Sequence, residues 1–405
     1  LHKKRPILIN NWEATYFDFN EKKILKIAKS AAKLGVDMLV LDDGWFGKRN
    51  SDTSGLGDWF VNENKLKGGL SMLADKINDL GMKLGIWFEP EMVSEDSHLY
   101  RAHPDWAIAI PDRKPMRGRF QLVLDMSRRE VQDYLFSAIS NILDNANISY
   151  IKWDMNRSIS DLYSHALPAE RQGELSHRYV LGLYSLLERL IQKYPNVLFE
   201  GCSGGGGRFD AGMLYYCPQI WCSDDTDAFE RTKIQYGTSF IYPISAVGSH
   251  VSVVPNHQTG RITPLETRAV TAMAGSFGYE LDLGLLTDEE KTAVADQIRR
   301  FKNFGTLIHN GSYYRLTNPM NGNRAFWSYV SDDRSEALVH GMIYHAPANM
   351  KRSALRLSGL DENSLYSISD TKETYSGAAL MNGGILLPMP WGDYTPVEIH
   401  LKKVK

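Results

Sequence analysis

Aspartate residues stand directly after several short β-rich runs of this sequence, and one of them is placed for covalent chemistry. Asp154 follows Tyr150–Trp153, and Lys152 alternates with it, so both side chains point to the same side of a predicted strand. A nearby ammonium lowers the pKa of a carboxyl group and keeps it ionised, as a carboxylate nucleophile must be. The alternative is that Asp154 is a turn or helix N-cap residue.

A second acidic cluster follows another β-rich run. The segment Trp221–Asp227 holds Asp224, Asp225 and Asp227, which are three acids within four positions. Because like charges disfavour joint ionisation, one carboxyl of this cluster can stay protonated and donate a proton. The cluster lies about two strand–helix units after Asp154, which suits the second half of a carboxylate pair. A metal-binding loop and helix-capping acids are the alternatives.

Other strand ends also carry acids and aromatic side chains. Carboxylates accept hydrogen bonds from several hydroxyls, and aromatic rings cover apolar sugar faces, so the pattern favours a neutral polyhydroxylated ligand. Asp42 and Asp43 could instead bind Mg²⁺, but too few further oxygen ligands are evident, and hydroxyl recognition is preferred. No metal and no organic cofactor is therefore expected. The remaining strand-end residues are Trp12, Trp87, Glu89, Glu91, Lys152, Asn156, Glu200 and Cys202.

A glycine run follows the predicted strand Val197–Glu200. Cys202 and Ser203 precede four glycines, Gly204–Gly207. The run lacks the Lys-Ser/Thr pair of a phosphate-binding loop, so glycines that let the backbone approach a ligand are the better interpretation. Cys202 has no evident histidine partner, which disfavours it as a nucleophile. Arg119 lies in a loop rich in charged residues, and either a solvated charge or an arginine that reaches the cleft would fit there.

Short β-rich runs alternate with amphipathic stretches over the first three quarters of the chain, which indicates parallel strands joined by helical crossovers. Eight such runs predict an α/β fold of the (β/α)₈ TIM-barrel type. A doubly wound sheet is the alternative, but no GxGxxG motif follows the first strand. The predicted strands are Pro6–Asn10, Met38–Leu41, Lys83–Phe88, Tyr150–Trp153, Val197–Glu200, Ile220–Cys222, Ala246–Val251 and Tyr279–Leu283. The predicted long helices are Glu21–Leu34, Leu70–Leu80, Arg129–Asn145, Gln172–Tyr194, Glu266–Ala274 and Glu289–Asn303.

The pattern changes after about residue 312. Short β-like runs separated by turn residues, with no strong helix between them, predict an all-β sandwich. The chain is therefore predicted to hold a barrel over residues 1–312 and a C-terminal β-sandwich domain over residues 313–405. The predicted strands are Tyr314–Leu316, Arg324–Val330, Ser335–Ile343, Ala354–Leu357, Tyr366–Asp370, Gly384–Met389 and Val397–Lys403.

Composition excludes several classes of protein. The 405 residues carry 46 Lys and Arg against 48 Asp and Glu, and a net charge of −2 argues against nucleic acid or an anionic membrane as partner. No stretch approaches the ~18 uninterrupted apolar residues of a transmembrane helix. Three cysteines cannot build a disulfide framework, which predicts a reducing, cytoplasmic compartment. The chain begins with Leu1 and no signal-like segment follows, which suggests an excerpt of a longer protein.

Six short motifs occur in order across the predicted barrel: LINNWEA at 8–14, LDDGWFG at 41–47, WFEPEMVS at 87–94, KWDMNR at 152–157, CSGGG at 202–206 and SDDTD at 223–227. Together they resemble the motifs of glycoside hydrolase family 36, and most closely those of its bacterial α-galactosidases, the melibiases and raffinose-degrading enzymes. The resemblance covers the barrel and, more loosely, the C-terminal β domain.

The resemblance implies a retaining α-galactosidase that cleaves terminal α-D-galactosyl residues from melibiose, raffinose and related oligosaccharides. It implies Asp154 as the nucleophile and Asp224 as the acid/base. Family members also carry an N-terminal β-sandwich domain that is absent here, and bacterial members are often tetramers, so a homo-oligomer is expected of the full-length protein. The substrate contacts that it implies are Trp12, Asp42, Asp43, Trp87, Arg119, Lys152, Trp153, Asn156, Cys202 and Asp225.

Three other functions remain open at this point. A galactosyltransferase of the raffinose or stachyose synthase type would share the barrel and both acids but would exclude water and bind an acceptor sugar. An α-N-acetylgalactosaminidase would need room for a 2-acetamido group. A non-catalytic carbohydrate-binding protein, which belongs to a different class, would be indicated by the loss of an acid, but both acids are present.

Overall fold

The computed structural model describes residues 4–369 and 371–404. Eight strands close into a barrel in the order β1, β2, β3, β6, β7, β8, β9 and β10, and a short antiparallel hairpin, β4–β5, lies outside it. The strands of this part of the chain are β1 (Leu8–Asn10), β2 (Met38–Leu41), β3 (Lys83–Phe88), β4 (Met92–Val93), β5 (Leu122–Val123), β6 (Ile148–Trp153), β7 (Leu198–Gly201), β8 (Gln219–Trp221), β9 (Val247–Ser252) and β10 (Ser276–Glu280). The predicted (β/α)₈ barrel is confirmed.

Helices follow most of the barrel strands. The first long one, α2, begins at an Asn20 side chain that accepts from the Lys23 N–H, and it ends at Gly35 with a φ of 91°. Its buried residues, which include Ile24, Ile27 and Ala31, recur at helical spacing. The helices are α1 (Trp12–Thr15), α2 (Glu21–Leu34), α3 (Gly69–Asn78), α4 (His98–Ala102), α5 (Arg129–Asn145), α6 (Leu175–Lys193), α7 (Ser203–Gly206), α8 (Ala211–Tyr216), α9 (Ala228–Thr238), α10 (Leu265–Ala272), α11 (Asp288–Asn310) and α12 (Gly377–Asn382).

The register of the barrel strands places site residues side by side. Trp87 on β3 is level with Lys152 on β6, and Lys152 is level with Glu200 on β7. The strands are buried along almost their whole length, as expected for a parallel sheet covered on both faces. Strand ends of such a barrel therefore hold the side chains available for chemistry.

The C-terminal part of the chain forms antiparallel sheet. Its six-stranded sheet has the order β11, β12, β13, β18, β15, β16, and β14 pairs separately with β17. A cluster of buried residues that includes Phe326, Val339, Leu401 and Leu355 forms its core. The strands are β11 (Ser312–Arg315), β12 (Arg324–Val330), β13 (Glu336–Ile343), β14 (Ala354–Leu355), β15 (Leu365–Ile368), β16 (Thr374–Ser376), β17 (Ile385–Leu386) and β18 (Thr395–Lys403).

Several details differ from the predicted elements. The eighth barrel strand is Ser276–Glu280 rather than Tyr279–Leu283. The sequence pattern also missed α9, stopped α11 seven residues early and missed α12 in the C-terminal part. The predicted strand Tyr366–Asp370 is β15, except that Asp370 lies outside the described residues.

The chain divides into two compact units that do not follow the chain order. The first holds Leu8–Trp221 and Glu280–Leu285, and the second holds Cys222–Tyr279 and most of the chain after residue 285. The predicted domain boundary at residue 312 stays a prediction.

Candidate active site

The carboxylate of Asp154 lies at the end of β6 and accepts four hydrogen bonds from the first unit. Oδ1 accepts from the backbone N–H of Met155 at 2.8 Å and of Gly204 at 3.1 Å. Oδ2 accepts from Trp87 Nε1 at 3.1 Å and from Asn156 Nδ2 at 2.7 Å. The side chain is buried, so these donors replace the water that an exposed carboxylate would bind.

The surroundings of Asp154 keep it ionised. Burial alone would raise its pKa, but the charge of Lys152, the Gly204 N–H and the side chains of Asn156 and Cys202 outweigh burial and lower the pKa below its ordinary value. A buried carboxylate that is held by four donors and stays ionised has the properties that a glycosidase nucleophile requires.

Lys152 acts on Asp154 by charge and hydrogen-bonds to Asp42. Its Nζ donates to Asp42 Oδ2 at 2.9 Å, and Asn10 Nδ2 donates to the same oxygen at 2.6 Å. Burial would lower the pKa of Lys152, but the charge of Asp42 and of other neighbouring acids raises it well above its ordinary value. The buried ammonium therefore stays charged and is shared between the two carboxylates.

Asp43 is paired with an arginine that the sequence did not single out. Arg49 donates from Nε to Asp43 Oδ1 at 3.0 Å and from Nη2 to Asp43 Oδ2 at 2.8 Å, and both residues are buried. Asp52 Oδ1 lies 3.6 Å from Arg49 Nη2 and 3.6 Å from Arg119 Nη2. Charged groups thus run from buried Asp43 to exposed Arg119, whose guanidinium has no described contact with Asp154.

Glu89, which stands after β3, is a buried carboxyl beside the Asp154 network. Its Oε1 accepts from Gln121 Nε2 at 2.6 Å and from the Asn156 N–H at 2.5 Å. Burial and the charge of Asp154 raise the pKa of Glu89 to about 8. Asp154 and Glu89 therefore hold opposite protonation states at neutral pH, and Asn156 hydrogen-bonds to both.

Glu91 is fully buried and forms an ion pair with Arg208, which is partly exposed. Its two carboxylate oxygens accept from both terminal nitrogens of Arg208 at 2.8 and 2.9 Å, from Trp153 Nε1 at 2.9 Å and from the Tyr179 hydroxyl at 2.6 Å. Arg208 Nε also donates to Ser203 Oγ at 2.6 Å. The pair thus connects β6, through Trp153, with the turn after β7.

That turn supplies one of the donors to Asp154. Ser203, Gly204, Gly205 and Gly206 all have positive φ, at 61°, 59°, 78° and 90°. Glycine adopts this left-handed conformation without steric cost, whereas other residues do so at a cost. The glycines that the sequence associated with close approach to a ligand bring the Gly204 N–H to the Asp154 carboxylate.

Two of the predicted sugar-binding aromatic residues, Trp12 and Trp153, pack against or bond to residues other than Asp154. Trp12 begins α1, is half-buried and packs edge-to-face on Tyr16 and Phe17. Trp153 is fully buried and donates to Glu91, so the structure does not bring its indole to Asp154. Cys202 is buried next to Asp154, and its thiol contributes to the lowered pKa of that carboxyl. The roles of these residues in sugar binding stay predictions.

The acid loop, Cys222–Asp227, follows β8 and belongs to the second unit. Asp227 is the N-cap of α9 and accepts from the N–H groups of Phe229 and Glu230. The capping interpretation is therefore correct for Asp227. The side chain of Asp225 accepts from the Asp227 N–H at 3.0 Å, whereas the Asp224 side chain is exposed. Asp224 and Asp225 remain as the acids of this loop that could meet a ligand.

Two further properties concern residues 4–369 and 371–404. Within these residues no group of three or more His, Cys, Asp or Glu is arranged to hold a metal ion. None of the described helices is both long enough and apolar enough to span a membrane.

A closed (β/α)₈ barrel with an ionised, buried aspartate at one strand end and an antiparallel β domain after it is typical of barrel glycoside hydrolases. Residues 1–311 match the family model described as melibiase, and residues 324–401 match that of the glycosyl hydrolase family 36 C-terminal domain. The chain belongs to glycoside hydrolase family 36. The family resemblance of the six motifs is thereby confirmed.

Two relatives illustrate the similarity. The chain is 55% identical over 405 residues to the bifunctional alpha-galactosidase/sucrose kinase AgaSK of Mediterraneibacter gnavus. The matched region covers 100% of this chain and 42% of the relative. It is 54% identical over 403 residues to the alpha-galactosidase AgaA of Geobacillus stearothermophilus. That matched region covers 100% of this chain and 55% of AgaA. The chain thus spans about half the length of the curated relatives that it matches.

Solved structures agree with these matches. The galactosidase domain of AgaSK superposes with a TM-score of 0.97 at 55% identity, covering 100% of this chain and 55% of that one. A variant of AgaA from Geobacillus stearothermophilus in complex with raffinose gives a TM-score of 0.98 at 54% identity, covering 99% of this chain and 56% of that one.

Proposed function

We propose that this protein is a retaining α-galactosidase that hydrolyses terminal α-D-galactosyl residues of melibiose, raffinose and related oligosaccharides. Family membership supports the reaction class, and relatives named alpha-galactosidases are 50–55% identical to this chain. Raffinose is the ligand of one similar solved structure, which supports the substrate class. The observation that carries the proposal is the buried, ionised Asp154 with its four hydrogen-bond donors.

The reaction that we propose has two steps. Asp154 attacks the anomeric carbon and displaces the leaving-group oxygen, which takes a proton from Asp224, and a galactosyl-enzyme forms. Water, deprotonated by Asp224, then displaces Asp154 and releases galactose with its α-configuration retained. The low pKa of Asp154 suits the first step, because a protonated nucleophile could not attack.

Selection of galactose over glucose is proposed to depend on Asp42 and Asp43. Galactose differs from glucose in its axial 4-hydroxyl, and adjacent acids could bind O4 and O6 together. Both acids are buried and fixed, Asp42 by Lys152 and Asp43 by Arg49. A glucoside would leave these acceptors unpaired, which a site built around polar partners penalises strongly.

The nucleophile is tested by replacing Asp154. Asp154→Gly should lower turnover of p-nitrophenyl α-D-galactopyranoside on the order of 10³-fold or more. Azide should restore part of the cleavage and give the β-galactosyl azide, because the small anion enters the space of the lost carboxylate. The β-anomer and the α-glucoside serve as substrate controls. A variant with near-normal activity would refute the assignment of Asp154.

The acid/base is tested by comparing two adjacent acids. Asp224→Ala should impair melibiose hydrolysis about 10²–10⁴-fold but spare much of the release of nitrophenolate, which leaves without a proton. It should also flatten the basic limb of the pH profile. Asp225→Ala is the matched control and should show no dependence on the leaving group if it only binds sugar. If Asp225→Ala alone shows the selective loss, the two roles are reversed.

The location and assembly of the protein are also proposals. The three cysteines lie in the described part of the chain as buried thiols outside any disulfide, which supports a reducing, cytoplasmic compartment. Cell fractionation tests the compartment, and light scattering of the full-length protein tests the expected homo-oligomer.

A further inference from the structure

Side chains from outside the acid loop hold four consecutive carbonyls of its backbone. Ser223, Asp224, Asp225 and Thr226 are consecutive, and the carbonyl oxygen of each accepts a hydrogen bond from a side chain. Main-chain carbonyls in a loop are commonly left to water or to turn hydrogen bonds. Four consecutive carbonyls with side-chain donors indicate a loop whose position is specified by residues outside it.

Arg231 makes two of these four contacts. This buried residue of α9 donates from Nη2 to the Ser223 carbonyl at 2.7 Å and from Nε to the Asp225 carbonyl at 2.7 Å. Its Nη1 donates to the Gly248 carbonyl at 3.1 Å and contacts Cys222 Sγ at 2.9 Å. The rigid, planar guanidinium thus binds the carbonyls of the residues before and after Asp224 and connects them with β9.

Two other side chains complete the set. Gln258 Nε2 donates to the carbonyl of Asp224 itself at 3.0 Å, and Gln258 is exposed. Ser252 Oγ on β9 donates to the Thr226 carbonyl at 3.0 Å. All of these residues belong to the second unit.

We propose that Arg231, assisted by Gln258, is a positioning residue for the Asp224 carboxyl. The proposal rests on the proposed role of Asp224 as acid/base. The side chain of Asp224 starts from a backbone that is fixed on either side, so a shift of that backbone moves its carboxyl. Proton donation needs the carboxyl within hydrogen-bond reach of the glycosidic oxygen, and a shift of about 1 Å can cost about 10²-fold in rate.

The test uses Arg231→Lys, Gln258→Leu and Asp224→Ala in the same assays. Arg231→Lys should lower kcat/KM for melibiose about 30–100-fold but that for p-nitrophenyl α-D-galactopyranoside less than about 5-fold, since an ammonium cannot bind several carbonyls in one plane. Gln258→Leu should show the same selectivity at about 3–10-fold. Gln192→Leu, the same change at an exposed glutamine of α6, is the control and should change neither substrate.

A second readout separates positioning from general damage. Azide needs no general base, so it should speed turnover of the nitrophenyl substrate by Asp224→Ala and, to a smaller extent, by Arg231→Lys, with the α-galactosyl azide as product. A merely destabilised variant would gain nothing from azide. Thermal unfolding of each variant checks folding, and if Arg231→Lys does not fold, exposed Gln258→Leu decides the question.

The outcomes distinguish the positioning role from the acid/base role. In one outcome, Asp224→Ala loses activity mainly on melibiose, whereas the Arg231 and Gln258 variants lose activity equally on both substrates. This outcome would overturn the positioning role and leave the proposed function intact. Absence of selective loss in Asp224→Ala would overturn the acid/base assignment, and the positioning role would fall with it.

Discussion

Glu89→Gln should make the protein more stable at high pH relative to the native chain. Glu89 is buried, and burial together with the charge of Asp154 raises its pKa from 4.5 to about 8. The native state therefore keeps a proton on Glu89 that the unfolded chain loses above pH 4.5. Because the unfolded state binds fewer protons in this window, the free energy of unfolding falls as pH rises from about 4.5 to about 8.

The magnitude follows from the shift. Raising the pKa of Glu89 from 4.5 to about 8 changes the free energy of unfolding by about 5 kcal/mol, at about 1.4 kcal/mol for each pH unit. Glutamine has nearly the same shape as a protonated glutamate and does not titrate, so Glu89→Gln removes this contribution. Relative to the native chain, the variant should gain up to about 5 kcal/mol between pH 4.5 and pH 8 and gain nothing further above that range.

The assay is thermal or urea unfolding of both proteins at half-unit steps from pH 4.5 to 9. The difference between the two curves isolates Glu89, because the other titrating groups are common to both proteins. Glu63→Gln is the control, since Glu63 is exposed and its replacement should leave the curves parallel. Activity at pH 7 should change little, because native Glu89 is already mostly neutral there. Parallel curves for Glu89→Gln and the native protein would refute the reasoning.

Three further predictions concern the same unit and its chemistry. Arg208→Met should destabilise the protein by about 3–5 kcal/mol in chemical denaturation, because it leaves the buried Glu91 carboxylate without its ion-pair partner. Trp87→Phe should move the acidic limb of kcat/KM upward by about one to two pH units, because Asp154 loses a hydrogen-bond donor worth about 1.5–3 kcal/mol to a charged group. EDTA should leave hydrolysis unchanged, because a carboxylate pair suffices for the reaction; loss of activity that only a divalent ion restores would contradict this.

The barrel could be predicted because its strands are apolar and end in distinctive residues. β2 is a continuous apolar run, β3 is buried from its second residue onward, and the bounds of both strands were predicted to the residue. β10 was misplaced because its sequence, SFGYE, contains Ser, Gly and Glu and has no apolar run. Pairing within the closed barrel, which a local pattern cannot contain, determines where that strand begins.

The sequence pattern missed helix α9 for a related reason. Its buried residues include Arg231, Thr232 and Gln235, so the buried face of this helix is largely polar. Apolar periodicity, which identified α2 and α5, is therefore absent from α9. The N-cap Asp227 was the one available signal, and the sequence offered it only as an alternative to catalysis.

Candidate site residues could be predicted where they stand at the ends of predicted strands. Asp154, Asp42 and Lys152 stand at strand ends and are brought together. The partners of Asp43 and Glu91 were not found, because Arg49 and Arg208 are arginines in loops, where solvation is the usual state. Arg208 meets Glu91 across more than a hundred residues of sequence, and only the folded chain shows that pairing.

The acid loop also bears on how this activity could be transplanted. A designer who copied the SDDTD motif into another barrel would copy the carboxyls but none of the donors that fix the four carbonyls, since Arg231, Ser252 and Gln258 lie outside the motif. The smallest portable unit is therefore the loop together with α9 and the segment from β9 to Gln258. Homology-guided libraries that vary the residues around the motif freely would disrupt its geometry while leaving the motif itself intact.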